Sequence, residues 1–383
     1  MDNPASGPNT RLAHSGHDPL SFHGFVNPPV VRASTVLFPD AATLQSEGQR
    51  YTYATHGTPT TDALCAAISA LEGAAGTVLT SSGLSAVVLP LLTFLSAGDH
   101  LLITDSVYGP TRRFVNEVLP RYGISVDYFA PRIGAGIARM IRPNTKVIFL
   151  ETPGSNSFEL HDVPQIVSLA KAQGVITMID NSWATPLYFR PLDFGVDLSI
   201  HAATKYFSGH SDVLMGSVSA NAATWRKLDR ANLVFGHCVS GDDAYLVLRG
   251  LRTLGRRLQV QEASTLQIAR WLQDRPEVLA VHHPALESHP DHAIWARDFK
   301  GSSSLFSVTL APQLDPARFL DALQIFAMGY SYGGYESLAV IVDLNDRSLG
   351  APDAARSLIR LHIGLEDVDD LIADLRAALL AAA

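Results

Sequence analysis

The stretch 198–216, LSIHAATKYFSGHSDVLMG, carries one lysine, with small and hydroxyl residues ahead of it and a Gly/His/Ser/Asp turn behind it. Lys205 follows Thr204 and has no acidic residue within several positions, so its neighbours in sequence do not hold its amine in an ion pair. An amine that forms a Schiff base with an aldehyde must lose a proton, and burial or nearby positive charge lowers its pKa toward the working range. Upstream, residues 175–179 form an apolar run between Gly174 and Asp180, the pattern of a buried strand ending in a carboxylate. Ligands of open parallel sheets gather beyond the carboxyl ends of the strands, so Asp180 stands where it could hold a protonated ring nitrogen. A third element is GTVLTSSGLSAVVLPLLTFLSAG: a strand over 77–80, a bend at Ser81, Ser82 and Gly83, then an apolar helix from about Leu84. Accessible backbone N–H groups at a helix start are suited to a phosphate, although the spacing is neither a dinucleotide fingerprint nor a P-loop. Each element also has an ordinary reading: a surface lysine, an aspartate capping a turn beside Asn181 and Ser182, a serine capping a helix. Together they compose a phosphate cup, a ring-nitrogen acid and a Schiff-base lysine, the parts of a pyridoxal phosphate site.

These residues need a scaffold, and the chain has the length for one. Its 383 residues, 47% hydrophobic and 17% charged, suffice for one large and one smaller domain, each with a core. A formal charge of −8 without a basic block or basic–aromatic interleaving argues against a nucleic-acid surface. Two cysteines, Cys65 and Cys238, make no disulfide framework, the opening MDNPASGPNTR lacks an export pattern, and the apolar run VVLPLLTFL near residue 90 is too short to span a bilayer. The expected setting is the cytoplasm, with a small-molecule partner and no membrane. Residues 1–35 read as an arm in need of a surface to rest on. His14, His17, Asp18 and His23 lack a tight ligand spacing, so no metal site is expected there. Helical periodicity over 59–72, strands over 100–104, 125–129, 146–150 and 197–200, and a helix over 163–172 give an alternation of strand and helix. That rhythm predicts an α/β fold with a large, mostly parallel sheet. Tyr108 opens the segment after one strand, where its ring could stack on a cofactor or merely pack the loop.

Beyond Gly216 a long helical tract, 242–276, leads to a smaller C-terminal α+β domain with strands in SSSLFSVTL, SLAVIVDL and SLIRLHIGL, a helix over ARFLDALQIFAMG and a closing helix. The expected division is an arm over 1–52, a cofactor domain over 53–245 and a small domain over 246–383. Arg360 lies inside an apolar strand, where a guanidinium must face solvent, a carboxylate or a ligand, and its fork suits the α-carboxylate of an amino acid. Tyr330, Tyr332 and Tyr335 surround the Gly333–Gly334 bend, as a substrate wall or as an edge loop packed on its own domain.

SIHAATKYFSGHSD, TMIDNSWATP, GDDAYLVLRGLRTLG, YSYGGYES and LIRLHIGLEDVDDLIADL together resemble the Cys/Met metabolism family of pyridoxal-phosphate enzymes, the beta-lyases among them above all. The similarity runs from about Asn27 to Leu375. It implies the fold type I transferase architecture and a homotetramer of tight dimers with shared active sites. By this resemblance Lys205 is the Schiff-base lysine, Asp180 the ring-nitrogen partner and Tyr108 the stacking ring. Ser82, Gly83 and Leu84 form the phosphate loop with Thr204, Arg360 grips the substrate carboxylate, Ser331 and Tyr332 stand at the wall near it, and Tyr53 comes from the neighbouring subunit. The implied reaction is beta-elimination of cystathionine to homocysteine, pyruvate and ammonia. A gamma-lyase or gamma-synthase is the rival; a scaffold or binding module would not need Lys205, Asp180 and Arg360 together.

Three departures stand out. The family's Tyr-x-Arg is Tyr53, Ala54, Thr55 here, which removes an arginine that reaches the partner's cofactor phosphate, and His56 follows as a partial substitute. Tyr332 replaces the tryptophan usual in beta-lyases, keeping the aromatic character that gamma-acting members lack. Ser155 replaces a frequent asparagine near the cofactor's 3-hydroxyl, with Asn156 displaced by one.

Overall fold

The computed structural model describes residues 6–16, 18–350 and 358–383. Its first sheet has seven strands: β1 (Gly76–Thr80), β2 (His100–Thr104), β3 (Ser125–Phe129), β4 (Thr145–Glu151), β5 (Ile176–Asp180), β6 (Leu198–His201) and β7 (Gly216–Ala220), in the spatial order β1-β7-β6-β5-β4-β2-β3. The run from β6 through β5, β4 and β2 to β3 is parallel, and β7 lies antiparallel to both its neighbours. The period of two sends alternate side chains into separate cores. Leu101, Ile103, Val147, Phe149 and Met178 enter one, whereas Leu102, Ile148, Leu150 and Ile179 enter the other.

The second sheet comprises β8 (Val278–His282), β9 (Leu305–Leu310), β10 (Ala327–Met328), β11 (Leu338–Val342) and β12 (Leu358–His362), in the order β10-β11-β12-β9-β8. Phe306, Val308, Ile359 and Leu361 pack beneath the closing helix Val368–Ala381. Between the sheets runs the helix Gly241–Gln273, 33 residues long. Its first half, including Val247, Leu251 and Leu258, belongs to the core of the first sheet, and Ile268, Ala269 and Leu272 belong to that of the second. One rigid rod thus ties the two cores together.

Most expected elements are present. The helix Pro59–Glu72 begins at a Thr58 capping box and ends at Gly73 in the left-handed region. The strand β7 and the helix Ala222–Val234 were not anticipated. GSVSA has little apolar character, yet all five residues are buried, and Ser219 bonds the Thr77 hydroxyl at 2.8 Å. The helix expected over 317–329 stops at Ala322. The Asp374 carboxylate accepts the N–H groups of Gln324, Ile325 and Phe326 at 2.8–3.1 Å and draws the backbone away from helical pairing. His17 and Ser357 lie outside the described residues. Among those described, no His/Cys/Asp/Glu cluster could hold a metal ion, and no helix is long and apolar enough to cross a membrane.

The long helix also braces the lysine loop. Arg257 Nη2 donates to the Tyr206 carbonyl at 2.8 Å, and a Cβ at Gly250 would stand 2.3 Å from the carbonyl oxygens of Phe207 and Ser208. Gly250→Ala must push the helix off this loop, and overpacking of this kind costs about 1–3 kcal/mol. Chemical denaturation of both proteins measures it; an unchanged midpoint would mean that the helix retreats freely.

Candidate active site

The carboxyl ends of β4, β5 and β6 open into a cavity of about 320 Å³ lined by residues of both sheets. It gathers Ser82, Gly83, Leu84, Tyr108, Asp180, Thr204, Lys205, Ser331, Tyr332 and Arg360. These are the site residues expected from the sequence, except Tyr53.

Lys205 follows a short turn after β6. Its Nζ donates to Ser331 Oγ at 2.7 Å and lies 4.8 Å from the centre of the Tyr332 ring. Burial, and then the Arg360 cation, push its amine down to about 8, with Asp180 opposing them. The sign follows for the cofactor-free protein: the unfolded chain keeps the proton up to a higher pH than the folded one. Burying Lys205 therefore costs stability in full below about pH 8, and the cost fades as pH rises from there toward the ordinary lysine value.

Asp180 ends β5, where its Oδ1 accepts the Ser182 N–H at 2.9 Å. Burial raises its carboxyl, and the bonds from Ser182 and the charges of His201 and Lys205 oppose the rise. Directly across the strand pair stands Glu151, whose Oε2 accepts the Tyr108 N–H at 2.7 Å. Burial first, and then Asp180, push the Glu151 carboxyl well above the usual range. Sequence reasoning placed Glu151 at a strand end and assigned it no role; its neighbour relation to Asp180 depends on strand order.

The helix Gly83–Phe94 points its start at the same cavity. Ser82 caps it through Ser85 N, and Ala86 N bonds the Ser82 carbonyl, so the first-turn amides of Gly83 and Leu84 remain for an anion. Glycine is required at 83 because a Cβ there would meet Ala202 Cβ at 2.7 Å. Thr204 is less free than expected, since its hydroxyl donates to the Met215 carbonyl at 3.1 Å and accepts the Met215 N–H at 2.9 Å. Asn156, displaced by one in sequence, still lines the cavity: it sits at φ 63° with its Oδ1 buried and unbonded. Phosphate donors, an amine of lowered pKa, a carboxylate and an orphan polar atom around one cavity are a donor set that fits pyridoxal phosphate.

Arg360 projects from β12. Its Nη2 reaches only the Ser331 carbonyl, at 3.4 Å, and among the described residues it has no carboxylate partner. Ser331 thus touches both cations through different atoms. It does so at φ 97°, a left-handed conformation that costs a non-glycine residue about 1–3 kcal/mol and is typical of functional turns.

Tyr53 lies outside this cavity, 49% exposed, bridged to Thr35. Thr55 and His56 line a different hollow, and His56 Nδ1 pairs with the Thr52 hydroxyl at 2.8 Å.

Residues 9–380 match the family model described as Cys/Met metabolism PLP-dependent enzyme. The chain belongs to this family. A Rhizobium johnstonii protein provisionally named a cystathionine beta-lyase is 56% identical, over 98% of this chain and 97% of its own. The cystathionine beta-lyase MetC of Escherichia coli is 44% identical, over 96% and 97%. A solved cystathionine gamma-lyase from Lactobacillus plantarum, complexed with L-serine, superposes with a TM-score of 0.93 at 31% identity, over 98% of this chain and 99% of that one. The fold is that of these pyridoxal-phosphate enzymes, and pyridoxal phosphate is the family's cofactor.

The charge balance of the cavity gives a direct test. In cofactor-free protein, the rate of Lys205 labelling by an amine reagent should rise with pH through a midpoint near 8. Arg360→Leu removes a positive neighbour and should move that midpoint upward. A midpoint that stays put would mean that burial alone sets the amine.

Proposed function

We propose that this chain is a carbon–sulfur beta-lyase that cleaves L-cystathionine to homocysteine, pyruvate and ammonia. The observation that carries the reading is the shared contact at Ser331: an unpaired Arg360 beside a Lys205 amine of lowered pKa. A carboxylate clamped by Arg360 would bring the substrate's Cα within reach of Lys205. The beta-lyase names of the similar chains support the same reading.

Pyridoxal phosphate, when bound, supplies an electron sink for charge developing at Cα. The residues that would hold it are Gly83 and Leu84 at the phosphate with Ser82 and Thr204 beside them, Asp180 at the ring nitrogen, Tyr108 against the ring and Lys205 at the aldehyde carbon. In catalysis Arg360 fixes the substrate carboxylate and so orients the Cα–H bond toward the freed Lys205 amine, which takes the proton. Asp180 keeps its negative charge at the ring nitrogen throughout. Lys205 or a tyrosine hydroxyl, from Tyr108 or Tyr53, then gives a proton to the sulfur leaving Cβ. Addition of water to the remaining three-carbon fragment yields pyruvate and ammonia.

Tyr332 favours beta- over gamma-elimination within this reading. Its ring packs 5.6 Å from that of Tyr206 and over Lys205, filling the wall with aromatic bulk. Product analysis is the test: pyruvate in step with homocysteine is expected from cystathionine, whereas 2-oxobutanoate would mean gamma-elimination and a new thioether a synthase. Asp180→Asn should slow Cα proton removal about a hundredfold or more in cofactor-loaded protein. A near-wild-type single-turnover rate would overturn that assignment.

The reading extends to assembly as a homotetramer of tight dimers, an arm over 1–52, a cofactor domain over 53–245, a small domain over 246–383, and a cytoplasmic setting that suits the free thiols Cys65 and Cys238. Exposed Leu20, Val26 and Leu37, each at least 79% accessible, give the arm apolar surface for a neighbouring subunit to cover. In a tight dimer Tyr53 would enter the neighbour's cavity. A hybrid dimer with Lys205→Ala in one subunit and Tyr53→Phe in the other should keep near half of wild-type activity, because one site carries both defects and the other neither. Severe loss would place Tyr53 in its own subunit's site. Thr55→Arg should tighten cofactor binding about tenfold, the worth of one charge-assisted hydrogen bond, as read by titration of cofactor-free protein.

A further inference from the structure

The turn that carries Ser331 and Tyr332 is gripped from below by two side chains of one strand. Arg360 and His362 are two residues apart on β12 and so project from the same face of the sheet. Arg360 reaches the Ser331 carbonyl, while His362 Nε2 accepts the Gly333 N–H at 3.1 Å and also lies 3.3 Å from the Gly334 carbonyl oxygen, so the imidazole holds this turn at two successive residues. The imidazole is 1% exposed, and its Nδ1 meets Ser304 Oγ at 2.9 Å. Ser304 Oγ in turn meets the Tyr206 hydroxyl at 2.9 Å, and the Ser304 N–H donates to the same oxygen at 3.2 Å. Tyr206 adjoins Lys205, and its ring lies between Tyr332, 5.6 Å away, and His362, 6.5 Å away. The network therefore runs from the residue beside the Schiff-base lysine to the turn opposite it.

The turn has no slack of its own. A Cβ at Gly333 would stand 2.7 Å from Tyr206 N and 2.9 Å from the Lys205 carbonyl carbon, so the turn rests directly on the lysine's backbone. Ser331 at φ 97° and Gly333 at φ 83° are both left-handed, and such a conformation persists at a non-glycine residue only when its surroundings over-determine it.

We propose that His362 is a positioning residue: by holding Gly333 N–H on one nitrogen and Ser304 on the other, it fixes the Ser331–Tyr332 turn and so sets where Lys205 and Arg360 meet an amino acid. Burial and the Arg360 and Lys205 charges push its imidazole down to about 3, so it acts as a neutral acceptor across the working pH range and not as an acid or base. The expectation concerns the cavity's handling of any α-amino acid and does not depend on which thioether is the natural substrate.

The test compares His362→Ala and His362→Asn in cofactor-loaded protein, reading L-alanine binding by the absorbance change of the bound cofactor. L-alanine has no β leaving group, so the measurement is separate from the lyase assay. His362→Ala leaves a buried N–H unpaired and should weaken L-alanine about tenfold or more, whereas the Asn carboxamide can still accept and should recover to within about threefold of wild type. The pH dependence of thioether turnover should be the same in wild type and His362→Asn. Melting of the cofactor-free proteins separates positioning from bulk stability: positioning requires that Asn rescue binding regardless of its melting point. Ser304→Ala, which frees the Nδ1 side without touching the turn, should weaken L-alanine in the same direction by about threefold and serves alone if His362→Ala does not fold. Wild-type L-alanine binding in a folded His362→Ala or Ser304→Ala protein would overturn the proposal, as would binding losses in the Ala and Asn variants that simply follow their melting points.

Discussion

Two half-buried basic side chains, Arg360 and Lys205, line a single cavity, and the charge of the first pushes the amine of the second down. Arg360 needs a carboxylate, and among the described residues it has none. Lys205 needs to lose a proton, and Arg360 together with burial makes that easier. Under the proposed function an amino acid would answer both needs, its carboxylate at the guanidinium and its amine beside Lys205. Had either cation been neutralised by an internal carboxylate, the site would be more stable and less useful. The strained backbone at Ser331, touching both, belongs to the same economy.

The fold supplies this meeting by converging two sheets on one opening. Parallel strands deliver Glu151 and Asp180 side by side and lead directly into the turn before Lys205, while β12 of the second sheet delivers Arg360. Antiparallel β7 then joins β6 to the edge strand β1. Its Gly216 permits the approach of the Gly83–Phe94 helix start: a Cβ there would stand 2.3 Å from the Ser82 carbonyl oxygen. The Gly83 helix start and the Lys205 turn are consequently built from adjacent backbone, while Arg360 comes from the other core. The helix Gly241–Gln273, which contributes to both cores, joins the two halves, and hydrogen bonds such as Trp183 to Leu305 and Tyr206 to Ser304 join them as well.

Much of this was legible in the sequence, and the reason differs by residue. Asp180 announces itself because it ends an apolar run, and Lys205 because it stands without an acidic neighbour between small and hydroxyl residues and a Gly/His/Ser/Asp turn. Arg360 is visible for the opposite reason, as a charge inside such a run. Glu151 and His362 were not legible as functional groups. One is the last residue of a strand, as many structural carboxylates are, and the other alternates with apolar neighbours as any core histidine does. Their significance rests on strand order and on a contact with a turn about 30 residues away in sequence, which a single chain read locally does not reveal. The strand β7 escaped notice because its sequence, GSVSA, has little apolar character, although Ser219 is held by the Thr77 hydroxyl. The helix past Ala322 was over-extended because the Asp374 carboxylate competes for its backbone from the far end of the chain.

The pair Glu151 and Asp180 shows how neighbouring carboxyls on one sheet edge take different roles. Both are half-buried, and the Asp180 charge raises the cost of ionising Glu151. Donors and charge separate them: the Ser182 bonds and the His201 and Lys205 charges oppose the rise at Asp180, whereas at Glu151 the Tyr108 N–H and Arg347 oppose it. Glu151 is the one pushed well above the usual carboxylate range. Glu151 meanwhile holds the backbone of Tyr108 against the cavity through its Oε2.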